Sequence, residues 1–178
     1  MESLFAPWRM DWVTRDSNSD FDDCVFCTLP SLGADREHRI LARNERSYVV
    51  LNKSPYTPGH LLVLPEGHVS SIPEMEHDVM MDVMTVLSKS IDVLDKALHP
   101  EGYNIGMNIG EAGGASVQDH LHVHIVPRWT SDTTFMPTTA NTKVVAEALD
   151  ETYDRLYEEF SEAEGVESDG ANSAVIIR

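Results

Sequence analysis

Residues 120–124 read His-Leu-His-Val-His and run on into Ile125, Val126 and Pro127, and this alternation restricts the fold more than any other stretch. Successive side chains of a strand point to opposite faces, so His120, His122 and His124 share one face and Leu121, Val123 and Ile125 the other. The chain must therefore hold a sheet with an apolar side against a core and, on its reverse, a row of imidazoles. A single histidine is readily explained as a satisfied core or surface residue; three in strict alternation are not. Two chemistries suit such a row. Three imidazoles could bind zinc, or one imidazole, steadied by its neighbours, could attack phosphorus. The second needs an unprotonated attacking nitrogen, with the other ring N–H anchored on a carbonyl. Spacing alone does not choose between them.

Further strands and two helices can be read around this one. Residues 40–46 and 47–52 form two short strands about a turn at Asn44, and 60–65 a buried strand ending at Pro65. Tyr56, Thr57, Pro58 and Gly59 supply turn chemistry ahead of His60. Residues 70–98 carry the strongest helical pattern, with Met75, Val79, Met80, Val83, Val86, Leu87, Ile91, Leu94 and Leu98 at helical spacing. Ser71, Pro73 and Glu74 predict its start as a capping box. Residues 102–110 alternate as a strand, 111–114 form a glycine-containing loop, and 141–163 a weaker amphipathic helix. The order indicates an α+β domain with a mainly antiparallel sheet, one long helix and one C-terminal helix. Its expected divisions are an N-terminal arm at 1–23, a domain at 24–163 and an acidic, mobile tail at 164–178, unless the last apolar residues clip onto the body.

Charge excludes some roles. Thirty acidic against thirteen basic residues give a formal charge of −17, a surface that repels nucleic-acid backbone and anionic lipid. The acidic residues are spread in short clusters, as in halophilic proteins. No apolar run is long enough to span a membrane, and the N-terminus has no secretion signal, so a cytoplasmic location is expected. The two cysteines, Cys24 and Cys27, suit a metal clip or a redox pair in a reducing compartment; their acidic, loop-like surroundings favour metal.

The segment from Asn108 through Gly110, Gly113, Gly114 and Ser116 to His120-Leu-His-Val-His124 and Pro127-Arg128 resembles the histidine-triad (HIT) family of nucleotide hydrolases and transferases. Asn52, Pro58-Gly59-His60 and Pro65-Glu-Gly-His68 stand upstream in the family's order, and the resemblance covers residues 24–128. Pro127-Arg128-Trp129, the long N-terminal arm and the C-terminal helix are most similar to the branch that includes diadenosine tetraphosphate phosphorylases and hydrolases. The resemblance implies a HIT-like fold and action on dinucleoside polyphosphates or nucleoside phosphoramidates through a nucleotidyl-histidine. It implies His122 as nucleophile, His124 as hydrogen-bond donor to the leaving oxygen and His60 as support for the triad. Asn52 would contact the ribose, and Asn108 and Ser116 the phosphate and leaving-group side. Between Ser116 and His120 this chain has one residue more than commoner members, so Gln118 could stand in place of Ser116.

Zinc-bearing members of the family imply a ligand set of Cys24, Cys27, His68 and His120, which suits a tetrahedral Zn²⁺. The first triad histidine would then be structural. The resemblance also implies a homodimer, with the arm's Trp8 and Trp12, and Trp129, available for contacts or a base pocket. His38, His77 and His99 have no motif behind them and are expected at the surface. Binding a polyanion against this charge calls for local donors, namely imidazoles, backbone N–H groups of the 110–114 loop and Arg128, with Mg²⁺ on the substrate reducing its charge. Two other readings stay open: a zinc-structured nucleotide-binding or interaction module without turnover, and a hydrolase with zinc on all three triad histidines.

Overall fold

The computed structural model of the protein describes residues 24–115, 117, 119–130, 132, 148–168, 170 and 173–178. Two helical turns, α1 (Val25–Thr28) and α2 (Asp35–His38), precede the first strand, β1 (Ile40–Arg43). Asn44 makes the turn that follows: its side-chain oxygen accepts from the Ser47 N–H at 2.8 Å, the Ser47 hydroxyl at 2.8 Å and the Arg46 N–H at 3.3 Å. Such an Asx turn fixes the register of β1 against β2 (Ser47–Leu51). β3 (Leu61–Pro65) pairs along the whole of β2, from Ser47 opposite Pro65 to Leu51 opposite Leu61. Every residue of β2 and β3 is buried, which is why their sequences are apolar runs with little alternation.

β4 (Gly102–Met107) and β5 (Val123–Arg128) complete the half of the sheet that carries the histidines. With β6 (Val166–Glu167) and β7 (Val175–Ile177), the seven strands lie in the order β4-β5-β3-β2-β1-β7-β6. All neighbours are antiparallel except β1 and β7. One face is covered by α3 (His77–Leu98) and α4 (Leu149–Ser161). Val83, Val86, Leu87, Val93 and Leu94 of α3, and Tyr153, Leu156 and Phe160 of α4, pack there with Val49, Leu51, Leu61, Val63, Leu121, Val123 and Ile125. The odd-numbered residues beside the histidines thus face the helices, as alternation requires. The opposite face carries a smaller cluster of Ile40, Tyr48, Val50, Leu62, Leu64 and Ala174, against which Phe26 and Leu29 pack.

The predicted boundaries of several elements need correction. The long helix begins at His77, not near Ser71: the capping residues instead close a single 3₁₀ turn, Ile72–Glu74, in which the Glu74 carboxylate accepts from the Ser70 N–H and hydroxyl. Met75 is then extended and nearly buried, which breaks the helical path before α3 starts. The histidine strand enters its ladder only at Val123, because the Leu121 N–H bonds the Val69 carbonyl at 2.6 Å rather than a neighbouring strand. β4 stops at Met107, short of residue 110. The C-terminal helix runs over Leu149–Ser161, and residues 141–147 lie outside the described residues.

The stretch at 164–178, expected as a tail, adds strands to the sheet, with β7 beside β1 through Ala42–Val175 and Arg43–Ile176. A buried carboxylate holds it. Asp35 is 8% exposed, pairs with the Arg43 guanidinium and accepts the Ala174 N–H at 2.8 Å. Removing one partner of a buried pair strands the other charge. We expect Asp35→Ala to cost about 3 kcal/mol in urea unfolding; a loss below about 1 kcal/mol would mean that the clamp is idle. The arm at 1–23, with Trp8 and Trp12, lies outside the described residues.

Candidate active site and metal centre

The face of the sheet away from α3 and α4 carries the row of imidazoles. His120 and His122 are 1% and 2% exposed, His60 at the start of β3 is fully buried, and His124 is half-buried. The ring Nδ1 of His122 lies 2.9 Å from the carbonyl oxygen of His120. A carbonyl only accepts, so Nδ1 carries the proton and Nε2 keeps its lone pair. Burial also pushes the His122 pKa down, partly offset by that backbone bond, which favours the neutral ring a nucleophile requires.

His124 takes the opposite tautomer. The Tyr56 backbone N–H donates to His60 Nδ1 at 3.1 Å, so His60 must carry its proton on Nε2. That nitrogen lies 2.9 Å from His124 Nδ1 and donates to it, leaving the His124 proton on Nε2. Asn52, expected on a ribose, turns its amide N–H toward His60 Nδ1 at 3.2 Å, while its oxygen accepts from Ser54 N–H at 3.0 Å. The turn that delivers His60 needs Gly59: its φ is +73°, and a Cβ there would run into the Leu94 and Leu98 side chains. Thr57 ties the same loop to β5 by donating to the Pro127 carbonyl at 2.8 Å. One face thus presents a lone pair on His122 beside an N–H on His124, the two rings 5.0 Å apart.

Two aromatic rings bracket the row: Phe26, and Tyr56, which the sequence marks only as a turn residue. Phe26 lies 5.6 Å from the His120 ring and 5.3 Å from His122. Tyr56 lies 4.5 Å from His60 and 6.1 Å from His124, nearly parallel to the latter at 15°. Neither carries a periodic signal; Phe26 adjoins Cys27 in sequence, and Tyr56 opens the turn before His60.

The predicted zinc ligands come together at the other end of the row. Cys24 caps the turn α1 and Cys27 lies within it, and the Tyr48 hydroxyl anchors that turn by donating to the Phe26 carbonyl at 2.7 Å. His120 Nδ1 stands 3.5 Å from Cys24 Sγ and 3.4 Å from Cys27 Sγ, and His68 Nδ1 3.3 Å from Cys27 Sγ. All four donor atoms lie within 4.8 Å of one another. In a tetrahedral zinc shell, sulfur and nitrogen ligands sit about 3.6 Å apart, so the set fits. The other nitrogen of His120, Nε2, donates to the Pro65 carbonyl at 2.9 Å, which turns the Nδ1 lone pair toward the thiols. With His120 aimed at sulfur and His124 at His60, the reading in which all three triad histidines share one metal has no support in this geometry.

Asn108 is half-buried one residue past the Met107–Val123 pair, the step at which His122 stands. In the loop beyond it, Gly110 and Gly114 have positive φ, and a Cβ on Gly113 would strike the Ile109 carbonyl. Ser116 and Gln118 lie outside the described residues. Arg128, expected as a phosphate donor, is held by Asp132 and donates to Asn104 at 2.6 Å. Trp129 donates from its indole to the His99 carbonyl at 3.2 Å, closing the end of α3. His77 and His99 are exposed and His38 half-buried.

Comparison with known proteins agrees with this architecture. The HIT domain family model matches residues 34–131. An AP-4-A phosphorylase of Mycobacterium tuberculosis is 36% identical over 158 residues, spanning 85% of this chain and 80% of that protein. An adenosine 5'-monophosphoramidase of Schizosaccharomyces pombe is 31% identical over 105 residues, 59% of this chain and 74% of its own. Among solved structures, a Zn-bound histidine triad family protein from Mycobacterium smegmatis superposes with a TM-score of 0.63 at 26% identity, covering 77% of this chain and 92% of that one. A family match over more than half of the sequence, together with a relative over a third identical along most of both chains, makes this protein a member of the histidine-triad (HIT) family.

Proposed function

We propose that this protein is a nucleotide hydrolase or nucleotidyl transferase acting on dinucleoside polyphosphates or nucleoside phosphoramidates. Nε2 of His122 attacks the phosphorus next to the nucleoside, a P–N bond forms, and the P–O or P–N bond to the leaving group breaks. His124 donates a hydrogen bond from its Nε2 N–H to the departing atom, stabilising the charge that develops there, and the proton that atom finally takes up comes from solvent. Water or inorganic phosphate then attacks the nucleotidyl-histidine, releasing a nucleoside mono- or diphosphate and restoring the neutral His122 ring. The observation that carries this reading is a pair of ring anchors that select opposite tautomers: His122 is tied by Nδ1 to the His120 carbonyl at 2.9 Å, and His124 is tied by Nδ1 to His60 at 2.9 Å. A nucleophile needs the first arrangement and a leaving-group donor the second.

Cys24, Cys27, His68 and His120 would hold a zinc ion whose contribution is structural, cross-linking α1 to the sheet beside the triad. Such a thiol pair stays available to metal in a reducing compartment, which supports a cytoplasmic location. Asn108 and either Ser116 or Gln118 would serve the substrate side in this reading, with Asn52 acting on His60 as much as on a ribose. A homodimer is supported by β4, an edge strand whose central residues Asn104, Ile105 and Gly106 are exposed; light scattering should give twice the chain mass.

Product analysis tests the activity. Diadenosine tetraphosphate should yield ATP with AMP when water is the acceptor, or ATP with ADP when phosphate is. Binding of the dinucleotide with no product, and no release of ammonia from adenosine 5'-phosphoramidate, would instead support the non-catalytic binding module. The acidic surface makes a second prediction, consistent with a halophilic protein. A chain at −17 repels a polyanionic substrate, and salt screens that repulsion within about 3 Å at 1 M. KM for the dinucleotide should therefore fall severalfold between 0.1 and 1 M KCl, by about threefold or more; a rise would point to a net cationic site.

A further inference from the structure

We propose that Tyr56 selects the leaving group by stacking on an aromatic ring that departs with it; this deepens the proposed function and rests on it. Tyr56 belongs to neither apolar cluster of the fold and remains 45% exposed. Its position is nonetheless fixed. The backbone N–H is bound to His60, Pro55 and Pro58 restrict the loop on either side, and Thr57 anchors that loop to the Pro127 carbonyl. One side of the ring meets the His60 and His124 imidazoles at 4.5 and 6.1 Å, and the rest faces outward. A large ring held rigidly and half-exposed beside the leaving-group donor is placed to receive a second ring.

The electrostatics of the chain point the same way. No carboxylate occurs between Ser47 and Pro65, and Lys53 is the one formally charged residue of that stretch. Even so, the molecule as a whole repels phosphate, so affinity drawn from an uncharged part of the substrate is worth more here than in a basic protein. Stacking of a base on an aromatic side chain supplies such affinity whatever the base. Leaving groups that carry a ring, a nucleobase at the end of a polyphosphate or an arylalkyl amine, are thus favoured over those that do not.

Two substrate pairs test this, each breaking the same bond. Diadenosine tetraphosphate and adenosine 5'-tetraphosphate differ in whether the departing triphosphate carries an adenosine. Adenosine 5'-phosphoramidates of phenethylamine and butylamine differ in whether the departing amine carries a ring. Tyr56→Leu should lower kcat/KM about tenfold or more for the ring-bearing member of at least one pair, with its partner unchanged within about twofold. The responding pair names the source of the ring. Tyr56→Phe should keep the wild-type preference. Equal losses for both members would assign Tyr56 to support of His60 and overturn the proposal, as would no change in either. Wild-type protein that forms no adduct on His122 with any of the four would overturn the proposed function itself, and this inference with it.

Discussion

His122→Asn should lower kcat/KM for a dinucleoside tetraphosphate by about 10⁴-fold or more, while far-UV circular dichroism, melting temperature and zinc content stay at wild-type values. The size follows from the role. Positioning and leaving-group donors cannot compensate for a missing nucleophile when the pathway runs through a covalent intermediate. The fold should tolerate the change because the His122 ring lies on the face opposite α3 and α4, outside the main apolar cluster. His124→Ala should cost less, about 10² to 10⁴-fold, and the loss should grow as the leaving group becomes more basic. Near-equal, small losses at both positions would mean that neither ring has its assigned part.

The second large effect is expected from Cys27→Ser. Cys27 Sγ stands within 3.4 Å of both His68 Nδ1 and His120 Nδ1, so its loss removes a ligand that approaches both histidines of the set. Metal analysis should fall from about one zinc per chain to near zero, the four-ligand site being filled once. The melting temperature should fall by about 10 °C, because a loss of several kcal/mol moves a chain of this size by a few degrees per kcal/mol. Activity should fall as well. His120 carries both a ligand nitrogen and the carbonyl that fixes the His122 tautomer, so freeing its ring loosens the anchor of the nucleophile. Prolonged chelation of wild-type protein should reproduce both losses, and added zinc should reverse them. A Cys27→Ser protein that is zinc-free yet as stable and active as wild type would refute the structural metal.

Much of this was legible in the sequence because the relevant signals are local. The period of two through 120–125 places three histidines on one face and three apolar residues in the helix-covered core, and the fold follows that division. Asn44 marked the first turn, and Pro58-Gly59 the one that delivers His60. Where local signals compete, sequence and structure diverge. Ser71 and Glu74 look like the start of the long helix, but the same hydrogen-bonding chemistry closes an isolated turn once Met75 is drawn into the core. Pairings between distant segments were less visible still. Ala174 to Ile177 is too short to read as a strand, and its place beside β1 involves a hydrogen bond to Asp35, far away in sequence. Nor does spacing alone connect Cys24 and Cys27 with His68 and His120; family resemblance suggested the set, and its geometry fits a tetrahedral ion. The faces that Tyr56 and Phe26 join are not legible in the sequence, because an isolated aromatic residue has no period to reveal them.

During turnover the unprotonated nitrogen of His122 should become bonded to phosphorus. Rapid mixing with diadenosine tetraphosphate, denaturation under alkaline conditions that preserve phosphoramidates, and peptide mass spectrometry read this directly. The expected result is one adenylyl group on the peptide bearing His122, formed fast enough to account for turnover and absent from His122→Asn. Steady product formation with no adduct at any time point, or an adduct on a different residue, would contradict the account.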